Sequence, residues 1–438
     1  RGEGMCSPKV TPGTAAAFGG VTDSLRNFGI PVACCADGPS GIRMDCGTNA
    51  FSLPNGTALG CTFNVDLVKK LYKMTGIELC RNKIDSLLGP GMNIHRNPLN
   101  GRNFEYVSED PILTGKIGAA QVIGIQEAGS TATIKHVCAN NQEASRRFVD
   151  SIVSERALRE IYLKGFEIAV KEGKARSVMT TYNPVNGIWT AGSYDLCTTI
   201  LRKEWGFDGI VMTDWWAEAN TEGEKSTREN KAPMVLAQND LYMCVSNSLE
   251  TPENDNVKEK FELGEVTRSD LQRNAKNILK FIMKSQAMLH ELNLISKEDL
   301  EEINGQDDDG NISLEDIVYY YADKDSNDII IDASNFNNKK GDSEVFGISL
   351  NELGLYNIEI TMKSEQGSLS QLPLSIYYDN ALKSTITIRG TEGEWVTESR
   401  ELGFIFGVNH YIKLYFGASG LDIDKVVIKF IGKGKLPF

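Results

Sequence analysis

Residues 206–217 read GFDGIVMTDWWA. Within them, 209–213 (GIVMT) is an apolar run too short for a helix, bounded by turn residues, and it reads as a strand buried on both faces. It stops at Asp214, which two tryptophans follow. The same unit recurs along the first 294 residues. Residues 30–36 (IPVACCA), 86–88, 132–138 and 177–182 read as further strands. Helical patterns lie between them at 64–80, 111–128, 154–171 and 195–205, and a long helix over 267–288 closes the series. Ser154 supplies a cap for the helix that follows it. Repeated β-then-α units of this length call for a parallel sheet, and their number predicts an α/β fold of the TIM-like (β/α) barrel kind over residues 1–294.

Beyond residue 294 the pattern changes. Residues 295–327 are acidic and polar and are expected to form a linker. Within them, 305–316 (GQDDDGNISLED) are similar to a calcium loop, but Gly305 stands where the first acidic ligand belongs, so a flexible acidic linker is expected instead. Residues 328–438 carry short alternating runs at 356–362, 374–378, 385–389, 411–416 and 425–430, separated by turns. That pattern predicts an all-β, antiparallel, jelly-roll-like sandwich.

The composition is that of an ordinary globular chain, at 41% hydrophobic and 24% charged over 438 residues. The net charge of −13 is unevenly placed, with 13 basic and 25 acidic residues after position 294 against 33 and 34 before it. A neutral front and an acidic tail supply no basic stripe for nucleic acid. No apolar stretch is long enough to cross a membrane as a helix. The nine cysteines include no CxxC pair. Buried free thiols in a reducing compartment, the cytoplasm, are therefore expected. The first residues, RGEGM, have no apolar signal-peptide core and read as the middle or a processed end of a longer product.

In a (β/α) barrel the chemistry sits where strands end. The residues found there are Asp37 in DGPSGIR, His95, Arg96, Arg102 and Glu105 in GPGMNIHRNPLNGRNFE, the pair Lys135 and His136, Tyr182 in YNPVNG, and Asp214 with Trp215. Carboxylate, guanidinium and ammonium groups together can satisfy several hydroxyls with charge-assisted bonds, and an indole face can stack on a pyranose. This set suits a polyhydroxylated ligand. The four histidines are scattered at 95, 136, 290 and 410, which offers no metal site, and no phosphate-cradling motif follows a strand. No metal and no cofactor is expected. Singly, each residue has a plainer reading: Asp37 as a turn former, Lys135 and His136 as a surface pair, Trp215 as packing.

Together the motifs DGPSGIR (37–43), GRNFEYVSEDP (101–111), TIKHVCANNQE (133–143), SIVSERALREIYL (151–163), MTTYNPVNG (179–187) and GFDGIVMTDWWA (206–217) resemble the barrel domain of glycoside hydrolase family 3, the β-glucosidase and β-xylosidase family. The likeness runs from about residue 30 to 288. It implies a retaining hydrolase of terminal β-D-glucosides in which Asp214 is the nucleophile that forms a covalent glycosyl-enzyme. It further implies that Trp215 walls the sugar subsite, that Asp37 grips hydroxyls at the far side of the ring, and that Arg102, Lys135 and His136 bind hydroxyls. Tyr182 would approach the nucleophile with its phenol. Asp240, in NDLYM at 239–243, would be structural, and Glu105 and Arg96 are expected as supports.

Retention needs a second carboxyl group as acid and base. In this family it usually comes from a separate α/β-sandwich domain or a long loop, which some members place before the barrel. The expectation is that a preceding segment or chain carries it, and that the first barrel element is absent or shortened. Glu218, Glu222 and Glu224 follow the nucleophile and read as solvated loop charges. The tail, with YNIEI, GTEGEW (390–395), GVNHYIKLYF (407–416) and GLDIDKVVIKF (420–430), resembles a carbohydrate-binding module, and a purely structural sandwich is the other reading. The alternative for the whole chain is a non-catalytic sugar-binding or scaffold subunit with an incomplete site.

Overall fold

The computed structural model describes residues 14–18, 22–43, 50–245, 254–296, 317–379 and 381–433. These fall into two compact units, one up to residue 296 and one from residue 317 onward. The calcium-like stretch 305–316 lies outside the described residues.

The first unit is built on a seven-stranded sheet. Its strands are β1 (Ala16–Ala17), β2 (Cys34–Asp37), β3 (Ser86–Leu88), β4 (Thr131–Val137), β5 (Ser177–Thr180), β6 (Ile210–Trp215) and β7 (Leu241–Met243). They lie side by side in chain order, with β2 to β7 parallel and β1 antiparallel to β2. The short first element is thus two residues long and reversed. Ala16 and Phe18 share a hydrophobic cluster with Met212, Leu241 and Met243, so the two ends of the curved sheet draw on one core in a nearly closed, TIM-like barrel.

Helices cover the sheet, and local capping explains where they start. Asp110 accepts the N–H of Leu113 at 2.6 Å ahead of helix Pro111–Glu127, and Asn64 accepts that of Leu67 at 3.0 Å ahead of helix Val65–Arg81. These two helices approach so closely that a Cβ on Gly124 would stand 2.4 Å from the carbonyl oxygen of Lys69. Three helical expectations are refined, one being 195–205, which forms a π-helix over Asp195–Glu204. The segment 154–171 opens as helix Glu155–Ala157, widens to a π-helical turn at Leu158–Tyr162 and resumes at Lys164–Lys171. One extra residue in a turn rotates an apolar stripe without erasing it, so periodicity does not reveal it. The closing helix ends at Ile282, and a second begins at Gln286 because Ser285 accepts the N–H of Met288 and the buried Asp85 accepts that of Ala287.

The second unit has two sheets. Its strands are β8 (Tyr319–Tyr321), β9 (Ile329–Asp332), β10 (Ser343–Ser349), β11 (Gly354–Lys363), β12 (Gln371–Tyr378), β13 (Ala381–Arg389), β14 (Val396–Ile405), β15 (Asn409–Phe416) and β16 (Asp422–Gly432). The five-stranded sheet runs β8-β10-β15-β12-β13 and the four-stranded sheet β9-β16-β11-β14. Residues from both sheets, among them Phe346, Ile358, Leu374, Leu414 and Ile428, form one apolar core. Every pairing is antiparallel except that of β8 with β10. Strand β8 lies inside the stretch expected to be linker, which corrects the linker's end: a run of three tyrosines that pairs with Gly347–Ser349 belongs to the sheet.

Candidate active site

Parallel strands deliver their C-terminal ends to one side of the sheet, and the polar residues read from the sequence meet there. Asp37 ends β2 and accepts a 2.7 Å hydrogen bond from the Lys135 ammonium on β4. The turn that follows demands glycine: Gly38 has φ +125°, and a Cβ there would lie 1.7 Å from the Gly41 carbonyl oxygen. Lys135 is buried, whereas the Asp37 side chain keeps 40% of its surface open. Burial alone would raise the Asp37 pKa; the Lys135 ammonium, the Gly38 N–H and Arg43 outweigh it and hold the carboxyl below its usual range.

His136 is fully enclosed. Its backbone N–H donates to the Asn93 side chain at 3.0 Å, and its carbonyl accepts from the same amide at 2.8 Å, which fixes β4 at this point. Burial, with Arg102, Lys135 and Arg146 nearby, pushes its pKa well below the usual value, so the ring is neutral. The guanidinium of Arg102 can only donate, and it lies 3.0 Å from Nε2. Nε2 is then the acceptor and Nδ1 carries the proton, which faces the Tyr106 hydroxyl at 3.3 Å. Arg102 is itself held by a hydrogen bond from Nε to the buried Glu105.

Asp214 lies near the end of β6 in the middle of this set. One oxygen accepts the Trp215 N–H at 2.7 Å; the other stands 3.7 Å from His136 Nε2. The Tyr182 phenol lies near enough to interact with it electrostatically. Burial raises the Asp214 pKa, while Arg102, the Trp215 N–H, Lys135 and the Tyr182 phenol oppose the rise without cancelling it. A buried carboxylate surrounded by donors, yet less acidic than an ordinary aspartate, is suited to forming a bond to carbon. Trp215 packs in part on the barrel core. Asp37, Arg102, Lys135, His136, Tyr182, Asp214 and Trp215 thus make one connected cluster.

The remaining polar residues behave differently. Arg96 is exposed, and His95 Nε2 is buried without a hydrogen-bond partner among the described residues. Glu218 accepts from Ser226 at 2.5 Å, and Glu222 and Glu224 are exposed. Asp240 is tied to Arg202, the Val211 N–H and Asn277, a bracing arrangement. Among the described residues, no group of three or more His, Cys, Asp or Glu side chains is arranged to hold a metal, and no helix is long and apolar enough to cross a membrane. Asn93, Tyr106, Glu143, Arg146 and Arg147 escaped the sequence reading. They act on the cluster through contacts far apart in the chain, which no local pattern signals.

Residues 16–281 match the glycosyl hydrolase family 3 N terminal domain. Over 98% of its length the chain is 51% identical to a beta-glucosidase of Ruminococcus albus, of which it covers 45%. Over 53% of its length it is 45% identical to beta-glucosidase A of Butyrivibrio fibrisolvens, covering 27% of that protein. A solved beta-glucosidase from Paenibacillus barengoltzii aligns with 98% of the chain at TM-score 0.67 and 46% identity, and 45% of that protein is covered. Beta-glucosidase 3B from Thermotoga neapolitana, solved in complex with alpha-D-glucose, aligns with 69% of the chain at TM-score 0.59 and 36% identity, with 43% covered. The chain therefore spans less than half the length of these relatives.

Proposed function

This chain belongs to glycosyl hydrolase family 3, and on that premise we propose that it carries the nucleophile-bearing part of a retaining glycosidase for terminal β-D-glucosides. The observation that carries the reading is Asp214, a buried carboxylate bonded to the Trp215 N–H, with the Tyr182 phenol nearby, and flanked by neutral His136 and cationic Arg102. In this mechanism Asp214 attacks the anomeric carbon, and the glycosidic oxygen departs with the bonding electrons. Asp37, Lys135, Arg102 and His136 hold the sugar hydroxyls, and Trp215 covers a face of the ring. The half-open Asp37 side chain, fixed by Lys135, supports that role.

The acid/base carboxyl is proposed to come from outside the described residues, on a preceding segment or chain with an α/β-sandwich domain. Glu218 is engaged by Ser226, and Glu222 and Glu224 face solvent. Exposed Leu99, Phe104, Phe148 and Ile152 stand on loops that follow β3 and β4, which supports a covering partner there. The domain division proposed is a barrel through residue 294, an acidic linker, and a jelly-roll-like β-sandwich that resembles a carbohydrate-binding module. The shared core of its two sheets supports the sandwich, and β8 moves its start to about residue 319. The free cysteines among the described residues, six of them buried, support a reducing, cytoplasmic location.

The test is chemical trapping. A 2-deoxy-2-fluoroglucosyl fluoride needs no acid to lose its leaving group, and its adduct survives digestion for mass spectrometry. The label is expected on Asp214, with none on Asp214→Asn. A label on another carboxylate, or no label at all, would overturn the assignment.

A further inference from the structure

The neutral His136 ring has one N–H proton and two nitrogens that can carry it. Nε2 stands 3.0 Å from Nη2 of Arg102 and 3.7 Å from an oxygen of Asp214, so it faces a donor and an acceptor at once. On the other side of the ring, Nδ1 meets the Tyr106 hydroxyl at 3.3 Å. Among the described residues Nδ1 has no other hydrogen-bond partner inside this chain but that hydroxyl and the carboxylate-free space around it. The same hydroxyl receives the side-chain amide of Asn140 at 3.1 Å. Tyr106, His136 and Asn140 are all buried, and the Tyr106 ring meets the imidazole edge to face, with 75° between the planes. One phenolic oxygen therefore gathers two donors behind the ring that touches the nucleophile's surroundings.

We propose that Tyr106 is a positioning residue that selects the tautomer of His136: by accepting a hydrogen bond from Nδ1 it keeps Nε2 a bare lone pair, which holds Arg102 and leaves Asp214 uncovered for attack. This inference rests on the nucleophile assignment above. The two tautomers differ in what Nε2 does. With the proton on Nδ1, Nε2 accepts from the guanidinium, and Asp214 receives nothing from the ring. With the proton on Nε2, the ring turns a donor against the Arg102 donor and toward the Asp214 carboxylate, which needs only to close from 3.7 Å to accept it. Each arrangement gives Nε2 one bond to a charged partner, so these bonds largely offset each other. The choice then falls to Nδ1.

Tyr106→Phe keeps the ring and removes the oxygen. Two buried donors, Nδ1–H and the Asn140 amide, are then left facing the space that the oxygen filled. Moving the proton to Nε2 turns one of these donors into an acceptor and relieves the conflict. Leaving a buried N–H unpaired is worth about fivefold to a hundredfold in such an equilibrium. Once Nε2 carries the proton, Asp214 accepts it and gives up its charge less readily to the anomeric carbon, while Arg102 loses its acceptor. The two tautomers hold the same number of protons, so the loss in attack does not vary with pH. A residue that merely fills space would leave the proton on Nδ1.

The experiment uses the full chain with isotope-labelled histidine, because nitrogen NMR shifts separate the protonated from the bare nitrogen of a neutral imidazole. His136 is identified among the four histidines by its absence from the spectrum of His136→Gln. Wild type is expected to carry the proton on Nδ1, and Tyr106→Phe mainly on Nε2. The burst of dinitrophenolate from 2,4-dinitrophenyl 2-deoxy-2-fluoroglucoside, whose leaving group needs no acid, reports attack by Asp214. It is expected to slow by about tenfold in Tyr106→Phe, to the same extent at every pH. A proton on Nε2 in the wild type would overturn the inference before any variant is made. So would a proton that stays on Nδ1 in Tyr106→Phe, or a burst rate that holds although the proton has moved. A defect that fades as the pH rises would show that His136 ionises in the variant, which overturns it too. A wild-type chain with the expected tautomer but no burst would instead defeat the nucleophile assignment, so the two failures are told apart.

Discussion

The barrel and the two-sheet unit spend burial on different things. The barrel encloses Asp85, Glu105, Lys135, His136, Asp214, Lys231 and Asp240. Lys135, His136 and Asp214 lie near the C-terminal ends of β4 and β6, with Glu105 linked to them through Arg102, whereas Asp85 and Asp240 precede β3 and β7. Among the described residues of the second unit, the buried polar groups are Ser364, Ser375, Thr385 and Thr387, and none is charged. Enclosing a charge costs several kcal/mol unless partners offset it, so the group gathered at the C-terminal strand ends marks that face as organised around chemistry, while Asp85 and Asp240 brace the opposite one. A unit that encloses only apolar side chains and hydroxyls is organised around packing. The contrast predicts that charge-removing substitutions at the barrel's C-terminal strand ends act on turnover, while core truncations in the second unit act on stability.

Asp37 offers the largest effect. Its substitution by alanine removes a half-open carboxylate and leaves the buried Lys135 ammonium without its 2.7 Å partner. Losing one charge-assisted bond to a substrate hydroxyl, with a cation left unpaired, should lower kcat/KM on an activated aryl β-glucoside by about a hundredfold. Near-normal kcat/KM would reduce Asp37 to a turn residue and weaken the contrast between the units.

How far the sequence reveals each unit follows from the same contrast. In the second unit, β11 alternates buried and half-buried residues over its whole length, and period 2 exposes such a strand at once. The strands that periodicity missed have reasons to hide. Strand β14 is an edge strand with only Leu402 and Ile405 buried, and β10 carries Gly347 in its middle under the ring of Tyr319. In the barrel, buried strands and capped helices are legible, and the cluster around Asp214 is legible through its motifs. The supports are not. Asn93 reaches His136 across 43 residues and Arg147 reaches Trp216 across 69, both from loops with no periodicity.

Asp85 tests the barrel's buried charge in a place without chemistry. Its two oxygens accept the N–H groups of Cys34 and Ala287, each at 2.8 Å, joining β2 to helix Gln286–Glu291. Burial outweighs those donors and lifts its pKa to about 6. The folded state therefore holds this proton more tightly than the unfolded chain, whose value is near 3.9. The stability that Asp85 contributes is then complete below about pH 4 and lost as the pH rises through about 6. Asp85→Asn has no such proton, so its stability deficit relative to wild type should shrink by roughly 2–3 kcal/mol between pH 4 and pH 7. Urea midpoints across that range measure it. A deficit that stays constant or grows with pH would show that Asp85 is ionised throughout.

The smallest expected effect on turnover, and the sharpest test of the contrast, comes from Ile358. It points into the shared core from the middle of β11, between Arg400 on β14 and Ile428 on β16, with no surface exposed. Truncation to alanine leaves a cavity that two packed sheets cannot readily close, and a loss of about 2–5 kcal/mol is expected for such a site. If chemistry resides in the barrel alone, the melting transition of the second unit falls by several degrees while the rate of Asp214 labelling at 25 °C stays within about twofold. Labelling is measured well below the lowered transition, so unfolding does not enter the rate. Should labelling fall with stability even there, the second unit contributes to the geometry around Asp214, and its apolar core is part of the catalytic apparatus.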